Sequence, residues 1–266
     1  MKIAIVSNKT KKSERVAAQL TQKIKLQAGL VLEKEYPDLV ISVGGDGTLL
    51  KAFRQYAHRC ELVEFIGVHT GHLGFYADWR DFELAELVAS LQNPNRTRVS
   101  YPLLEIEVTY QDHKVEKYLA LNESTIKSIS TTMICDVLIS DELFENFRGD
   151  GLAFSTPTGS TAYNKSVGGA VIHPSIQAMQ LTEIASLNNR VFRTLGSPMV
   201  FCKEEWVVVE LQWATRYLIT IDQQVIERQN IKSVKYKIAN QQIHFASTKH
   251  THFWKRVRDS FIAKGD

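Results

Sequence analysis

A glycine-rich loop that contains one carboxylate is the first feature of the sequence that could do chemistry. It comprises Gly44 to Thr48, with the sequence GGDGT, and lies between a strand-like and a helix-like segment. Backbone N–H groups at such a position can converge on a phosphate group. Asp46 would repel that anion, so its presence makes sense if it binds a ribose hydroxyl, takes a proton from it or reaches a metal ion. The alternative is that Asp46 caps the following helix.

A second candidate region spans residues 150–169 and is rich in hydroxyl groups and glycine. Six of the nine residues from Ser155 to Tyr163 are Ser, Thr or Tyr. Such a backbone can hydrogen-bond a base edge and a ribose, while Tyr163 offers a flat face for stacking. The alternative is a loop of turn-forming residues, but the length of the segment and the flanking Asp150 favour ligand binding.

Three shorter segments carry further candidates. Phe75 ends a GHLGF segment beside the carboxyl end of a predicted parallel strand, where ligands usually bind. It could stack on an adenine or belong to the core, and His72 in the same segment is not predicted to be a catalyst. Asn122 and Glu123 could bind a ribose or adenine or lie on the surface. Asp222 is most simply a hairpin-turn residue.

The elements that must position these residues alternate over the first hundred positions. Apolar runs at 2–7, 39–43 and 63–69 predict buried strands. Helices are predicted at 13–27, where apolar residues recur every four positions, after Gly47, and at 82–91. This alternation predicts an N-terminal α/β domain with a parallel sheet and flanking helices.

The pattern changes near residue 95. Alternating or β-branched runs at 104–110, 135–139, 206–211 and 216–221 predict a β-rich C-terminal domain. Phe253, Val257 and Phe261 are spaced by four and predict an amphipathic helix, or a segment of chain that crosses back, packed against the rest of the protein. We therefore expect one domain at 1–97, with the tail from about 250 to 266 packed on it, and another at 98–249.

Composition excludes several classes of protein. The net charge of +3 is too small for a dedicated nucleic-acid-binding protein. No apolar run has the length of a signal-peptide core or a membrane span. Three separated cysteines indicate neither a disulfide framework nor a zinc site. These features predict a cytoplasmic protein with no nucleic-acid or membrane partner.

Taken together, the motifs resemble the NAD kinase family, in particular its shorter bacterial members. The resemblance rests on GGDGTLL at 44–50, GHLGF at 71–75, NE at 122–123, DGLAFSTPTGSTAYNKSVGG at 150–169 and the ITID run that ends at Asp222. The long motif is specific, whereas GGDG alone is shared with diacylglycerol kinases, sphingosine kinases and phosphofructokinases. Many members continue after Asp222 with Gly-Gln, whereas this chain has Gln223-Gln224, which puts the local turn in question.

The resemblance implies a reaction and an assembly. The ATP γ-phosphoryl group would be transferred to the 2′-hydroxyl of the adenosine ribose of NAD, with Mg²⁺ accompanying ATP, and the products would be NADP and ADP. The family also implies an NAD site between the two domains that is completed by a neighbouring subunit of a homo-oligomer, with a tetramer suggested.

Carried onto this chain, the resemblance implies roles for individual residues. Asp46 would be the general base. The ATP phosphates would lie along Gly44, Gly45, Gly47 and Thr48, and Arg148 is a further candidate to meet a phosphate. The NAD contacts would be Gly45, Asp46, Gly47, Leu73, Phe75, Asn122, Glu123, Asp150 of another subunit, Ser160, Thr161, Ala162, Tyr163, Ser166 and Asp222. The sequence assigns no metal ligand.

Two other interpretations stay open at this point. A lipid kinase built around GGDGT would need a hydrophobic slot, which suits residues 155–163 less well than a nucleotide does. A dinucleotide-binding sensor would keep the pocket without the chemistry, and Asp46 argues against that. The sequence leaves open whether polyphosphate replaces ATP and whether NADH is also accepted.

Overall fold

The computed structural model describes residues 1–71, 74–93, 96–212, 216–247 and 252–263. The chain divides into two compact units, of which the first comprises Met1–Ser100 with Gln242–Asp266 and the second comprises Tyr101–Gln241. The functional domains proposed from the sequence, 1–97 with the tail and 98–249, stay a prediction.

The first unit begins with alternating strands and helices. In chain order these are β1 (Lys2–Ser7), α1 (Lys11–Lys25), β2 (Val31–Leu32), β3 (Leu39–Gly44), α2 (Asp46–Tyr56), β4 (Glu64–His69), β5 (Ala77–Arg80) and α3 (Leu84–Ser90), with a 3₁₀ turn at Ala57–Arg59.

The strands of this unit form a parallel sheet. Its order is β2-β1-β3-β4, and β5 pairs with the end of β4. Every residue of β3 is buried, as expected for a central parallel strand that is covered on both faces. On α1 the predicted face of Val16, Leu20 and Ile24 is buried against this sheet. The helices therefore cover the sheet as the sequence predicts.

The second unit consists almost entirely of strands. Its elements are β6 (Thr97–Tyr110), β7 (Val115–Ala120), β8 (Glu123–Ser128), β9 (Met133–Ile139), β10 (Glu142–Gly149), β11 (Gly151–Ser155), a 3₁₀ helix (Thr158–Thr161), α4 (Tyr163–Ser166), β12 (Ala178–Ile184), β13 (Met199–Cys202), β14 (Trp206–Leu211), β15 (Tyr217–Ile221), β16 (Gln224–Arg228) and β17 (Ile231–Ser247).

Two antiparallel layers share one hydrophobic core in the second unit. One layer has the order β13-β12-β11-β8-β15-β16, and the other contains β10-β9-β14-β17 together with the β6-β7 pair. Side chains from both layers form a single cluster, in which the rings of Phe154 and Tyr236 stack with centroids 3.7 Å apart. This is the packing of a β-sandwich. The predicted fold class, an α/β N-terminal domain with a β-rich C-terminal domain, is confirmed.

The last described elements belong to the first unit. The last part of β17 pairs with β4 through His244 and Phe245, and α5 follows at Phe253–Phe261. The helix was predicted, but the predicted apolar face was wrong in part, because the buried residues are Phe253 and Arg256 while Phe261 is 43% exposed. Among the described helices, none is long and apolar enough to cross a bilayer.

We expect Leu20→Ala to lower the free energy of unfolding by about 2–5 kcal/mol, because Leu20 is fully buried and its loss leaves a cavity. Gln19→Ala is the control, since it changes the exposed neighbour on the same helix and should alter stability by less than about 0.5 kcal/mol. Urea unfolding measures both. Equal effects of the two substitutions would contradict the assigned helix face.

Candidate functional site

The GGDG loop is a one-residue connection between a buried strand and a helix. β3 ends at Gly44, Gly45 is the N-cap of α2, and Asp46 is the first helical residue. No side chain caps this helix. The Thr48 N–H donates to the Gly45 carbonyl at 2.8 Å, so the N–H groups of Asp46 and Gly47 are the ones that can meet a ligand. The alternative in which Asp46 is the cap is therefore wrong.

The carboxylate of Asp46 is bound instead by the backbone of a second loop. It accepts hydrogen bonds from the N–H of Phe75 at 2.8 Å and from the N–H of Tyr76 at 3.1 Å, one on each oxygen. An ionised carboxylate offers about four acceptor positions. Asp46, which is half-buried, can therefore accept further hydrogen bonds while its orientation is fixed.

Two glycines make this arrangement possible by their lack of a side chain. A Cβ atom on Gly74 would collide with the Asp46 carboxylate, and one on Gly44 would collide with the Thr48 hydroxyl and lie 2.9 Å from the Asn8 amide nitrogen. Gly74 therefore requires glycine for close approach, and Gly44 requires it both for close approach and for its φ of +156°. Asn8 was not identified from the sequence.

Phe75 is half-buried, and aromatic residues of α5 lie beside it. Its ring centroid is 6.5 Å from that of Phe253 and 5.8 Å from that of Phe261. Phe75 thus contacts the tail of the chain and keeps part of its surface exposed, so both the core role and the stacking role remain compatible with its position. His72 and Leu73, the neighbours named in the sequence analysis, lie outside the described residues.

A second carboxylate plays a similar structural role in the second unit. Asp222 lies in the two-residue turn between β15 and β16, as predicted, and accepts hydrogen bonds from the N–H groups of Leu121, Asn122 and Glu123 at 3.0, 2.7 and 3.3 Å. The turn requires positive φ at Asp222, where φ is 50°, a conformation that aspartate tolerates. Gln223 is not among the residues with positive φ, so the second position of this turn does not require glycine.

The backbone carbonyls of residues 121 and 122 are also held in place, by Thr156. The Thr156 hydroxyl donates to the carbonyl of Leu121 at 2.6 Å, and the Thr156 N–H donates to the carbonyl of Asn122 at 2.9 Å. A Cβ on Gly159 would strike the Asn122 carbonyl. Asn122 and Glu123 are only 7% and 8% exposed, so the alternative in which this pair lies on the surface is wrong.

The buried Glu123 carboxyl has an unusual protonation equilibrium. Desolvation is the main cause, and the Asp222 carboxylate adds to it, so that the Glu123 pKa is raised from 4.5 to about 8, although the Tyr163 backbone N–H opposes the shift. One carboxyl oxygen, Oε2, has no hydrogen-bond partner in the described structure. Near neutral pH the group is mostly protonated, so it can both donate and accept a hydrogen bond.

Several hydroxyls of the 155–163 segment hold the segment itself together. Ser160 is fully buried, and its hydroxyl donates to the Pro157 carbonyl at 2.5 Å and accepts from the Ile172 N–H at 2.9 Å. The Thr161 hydroxyl donates to the carbonyl of Thr158. The hydroxyl groups of Ser160 and Thr161 therefore stabilise their own loop, and the ligand contacts predicted for these two residues stay predictions.

Tyr163 is positioned by a lysine that the sequence analysis missed. Its hydroxyl accepts a hydrogen bond of 2.7 Å from Lys127 Nζ. Lys127 lies four residues after Glu123 on β8, hence on the same face of the strand, and this spacing could have identified it. Ala162 is half-buried. Ser166 is exposed, and its hydroxyl donates a hydrogen bond to the Tyr163 carbonyl.

Arg148 and Asp150 flank the turn from β10 to β11. Asp150 is exposed, and its N–H donates to the carbonyl of Ile184. The Arg148 guanidinium carbon lies 3.8 Å from the centroid of the Phe192 ring, a cation–π contact. A phosphate contact of Arg148 stays a prediction.

Some of the predicted residues therefore form two fixed constellations, each within one unit, whereas Arg148, Asp150 and Ser166 are not joined to either by a described contact of their side chains. Asp46 is bound to the loop of Gly74 and Phe75, and Asp222 is bound to the segment of Asn122 and Glu123. Within the described ranges, no group of three or more His, Cys, Asp or Glu side chains could hold a metal ion.

We expect the stability of the chain to fall as pH rises from 4.5 towards 8, because the folded chain keeps a proton on Glu123 that the unfolded chain has lost. Glu123→Gln should flatten this part of the profile. Denaturant unfolding across the interval measures it, with Glu142→Gln, at an exposed position, as the control. An unchanged decline in Glu123→Gln would contradict the assigned protonation.

Comparison with known proteins identifies the family. Models of the ATP-NAD kinase N-terminal and C-terminal domains match residues 3–95 and 121–246. The NAD kinase of Enterococcus faecalis is 59% identical over 265 residues, which are 99% of this chain and 100% of that protein.

Two solved structures share the fold at low sequence identity. Yeast NADH kinase complexed with NADH superposes with a TM-score of 0.85 at 17% identity, covering 100% of this chain and 89% of that chain. An NAD kinase from Archaeoglobus fulgidus in complex with ATP has a TM-score of 0.73 at 21% identity, covering 98% and 97%.

The domain matches and the full-length relative remove the lipid-kinase interpretation that the GGDG segment alone left open. The chain therefore belongs to the ATP-NAD kinase family, and it is a phosphotransferase.

Proposed function

We propose that this chain transfers the γ-phosphoryl group of ATP to the 2′-hydroxyl of the adenosine ribose of NAD, with NADP and ADP as products. The observation that carries the proposal is a carboxylate, Asp46, held at the uncapped N-terminus of α2 inside a glycine loop. The relatives named NAD kinase, and the solved kinases bound to NADH and to ATP, support the choice of substrates.

The glycine loop is suited to the phosphates of ATP. Gly45 is exposed and Gly47 is half-buried, and neither has a side chain, so an anion can approach the backbone at both positions. The positive end of the α2 dipole adds to the attraction. We assign the ATP phosphates to Gly44, Gly45, Gly47 and Thr48.

Asp46 is proposed to act as the general base. A ribose hydroxyl is a poor nucleophile, and a carboxylate within hydrogen-bond distance can accept its proton as the new P–O bond forms. The bond between the γ-phosphorus and the bridging oxygen then breaks, and ADP leaves with that oxygen. The hydrogen bonds from Phe75 and Tyr76 fix the carboxylate before the reaction, so no reorganisation is needed.

The second unit is proposed to recognise NAD through the Asn122–Glu123 segment. A mostly protonated Glu123 can donate to one ribose oxygen and accept from another hydroxyl, whereas a carboxylate could only accept. The Asp222 carboxylate positions this segment by binding its backbone N–H groups. Tyr163 and Phe75 are the aromatic candidates for stacking.

The other predicted contacts are retained as proposals. They are Gly45, Gly47, Leu73, Asp150, Ser160, Thr161, Ala162 and Ser166 for NAD, and Arg148 for a phosphate. The homo-oligomeric assembly and the cytoplasmic location inferred from the sequence also stay predictions.

Magnesium fits this site as a companion of ATP. In phosphoryl-transfer enzymes Mg²⁺ is usually bound by phosphate oxygens and one or two carboxylates rather than by a protein cage, and Asp46 has acceptor positions left beyond its two backbone donors. When bound, the ion would neutralise charge on the phosphates.

We expect Asp46→Asn to lower kcat for NADP formation by about 10²- to 10⁴-fold, the usual contribution of a general base, with a much smaller change in the KM for NAD. The amide keeps the size of the side chain but cannot take the proton. Steady-state assays with ATP, Mg²⁺ and NAD measure both constants.

The matched control is Asp38→Asn. Asp38 is an aspartate of the same unit that also accepts a backbone N–H, from Lys2, and its substitution should leave kcat unchanged. Weaker NAD binding with an unchanged kcat in Asp46→Asn would overturn the proposed role.

A further inference from the structure

Arg256 is a charged side chain in the interior of the first unit. It lies on α5 and is 4% exposed, although arginine is almost never buried without partners. Burial of an unpaired guanidinium would be strongly unfavourable. Its contacts should therefore show why the position is arginine rather than the apolar residue predicted for this face of the helix.

Four partners of Arg256 belong to the segment 74–78. One guanidinium nitrogen, Nη1, donates to the carbonyls of Gly74, Phe75 and Ala77 at 3.2, 2.8 and 3.3 Å. The other, Nη2, is paired with the Asp78 carboxylate. The charge is thus balanced by one carboxylate and surrounded by backbone acceptors.

Two of these carbonyls belong to the peptide units that bind Asp46. The carbonyl of Gly74 shares a planar peptide unit with the N–H of Phe75, and the carbonyl of Phe75 shares one with the N–H of Tyr76. Arg256 therefore binds the oxygen end of the two peptide units whose N–H ends donate to Asp46. A planar unit held at both ends cannot rotate without breaking one of these hydrogen bonds.

We propose that Arg256 is a positioning residue for phosphoryl transfer, which acts on Asp46 through the Gly74–Phe75 and Phe75–Tyr76 peptide units. This inference rests on the proposed catalytic role of Asp46. The guanidinium fixes the direction of the two N–H donors, and its charge polarises both peptide units, which strengthens their hydrogen bonds to the carboxylate. The C-terminal helix thus takes part in the reaction without touching a substrate.

Lysine cannot replace arginine in this role. An ammonium group carries the same charge but lacks the planar fork that contacts the Gly74, Phe75 and Ala77 carbonyls and Asp78 together. Arg256→Lys is therefore the most conservative variant that loosens the two peptide units.

The control variant is Arg258→Lys. It makes the same change two residues further along the helix, at an exposed arginine that is paired with the adjacent Asp259.

A double-mutant cycle in the full chain tests the inference. The kcat for NADP formation is measured for the unmodified chain, Arg256→Lys, Asp46→Asn and the double variant. We expect Arg256→Lys to lower kcat by about 10-fold or more, as misplacement of a catalytic group does, with a smaller change in the KM for NAD. The same substitution in the Asp46→Asn background should change kcat by less than about twofold, because neighbours that act through one another are not additive.

The outcomes separate this inference from the proposed function. An equal fold loss in both backgrounds, or no loss in either, would overturn the positioning role of Arg256. An unchanged kcat in Asp46→Asn alone would overturn the catalytic role of Asp46 instead. Arg258→Lys should match the unmodified chain.

If Arg256→Lys does not fold, Asp78→Asn replaces it in the cycle. This substitution removes the carboxylate that orients the guanidinium and leaves Arg256 in place. We expect a smaller loss of kcat that again depends on Asp46. A loss that is independent of Asp46, or no loss, would count against the inference.

Discussion

A carboxylate that accepts hydrogen bonds from consecutive backbone N–H groups is the interaction on which each of the two constellations depends. In the first unit Asp46 binds the N–H groups of Phe75 and Tyr76, and in the second Asp222 binds those of residues 121–123. Charge-assisted hydrogen bonds of this kind are shorter and stronger than neutral ones. They fix loops that would otherwise have no regular structure, and they determine where the neighbouring side chains lie.

The two carboxylates differ in what their fixed position makes possible. Asp222 fixes the buried Asn122–Glu123 segment through backbone hydrogen bonds. Its nearby negative charge also helps to keep Glu123 protonated. Asp46 stands at the start of a helix that no side chain caps, so the proposed base and the proposed phosphate-binding loop lie within a few residues of each other. Phosphoryl transfer depends mainly on positioning and electrostatics, and in each constellation a carboxylate is held in place by backbone N–H groups.

Sequence reasoning identified the parts of this arrangement that local patterns encode. The apolar run before Gly44 and the helical spacing after it placed Asp46 at a strand-to-helix turn, and the hairpin position of Asp222 followed from its flanking strands. The partners could not be predicted, because the Asp46 contact joins residues 29 positions apart and the Arg256 contact to Phe75 joins residues 181 apart. Arg256 lies three residues after the apolar Phe253, a spacing that places both on one helix face and could have indicated that Arg256 is buried. The spacing of Val257 and Phe261 favoured a different face instead. The burial of Asn122 and Glu123 likewise depends on Thr156 and Gly159, which lie in a separate motif.

The most direct measurement of the central claim compares Gly74→Ala with Gly71→Ala. A Cβ at position 74 would collide with the Asp46 carboxylate, whereas one at position 71 would meet nothing within 4 Å. If the fixed carboxylate is the base, Gly74→Ala lowers kcat for NADP formation by about 10-fold or more, with a smaller change in the KM for NAD, and Gly71→Ala leaves kcat unchanged. A kcat for Gly74→Ala equal to that of Gly71→Ala, in a folded protein, would contradict the account.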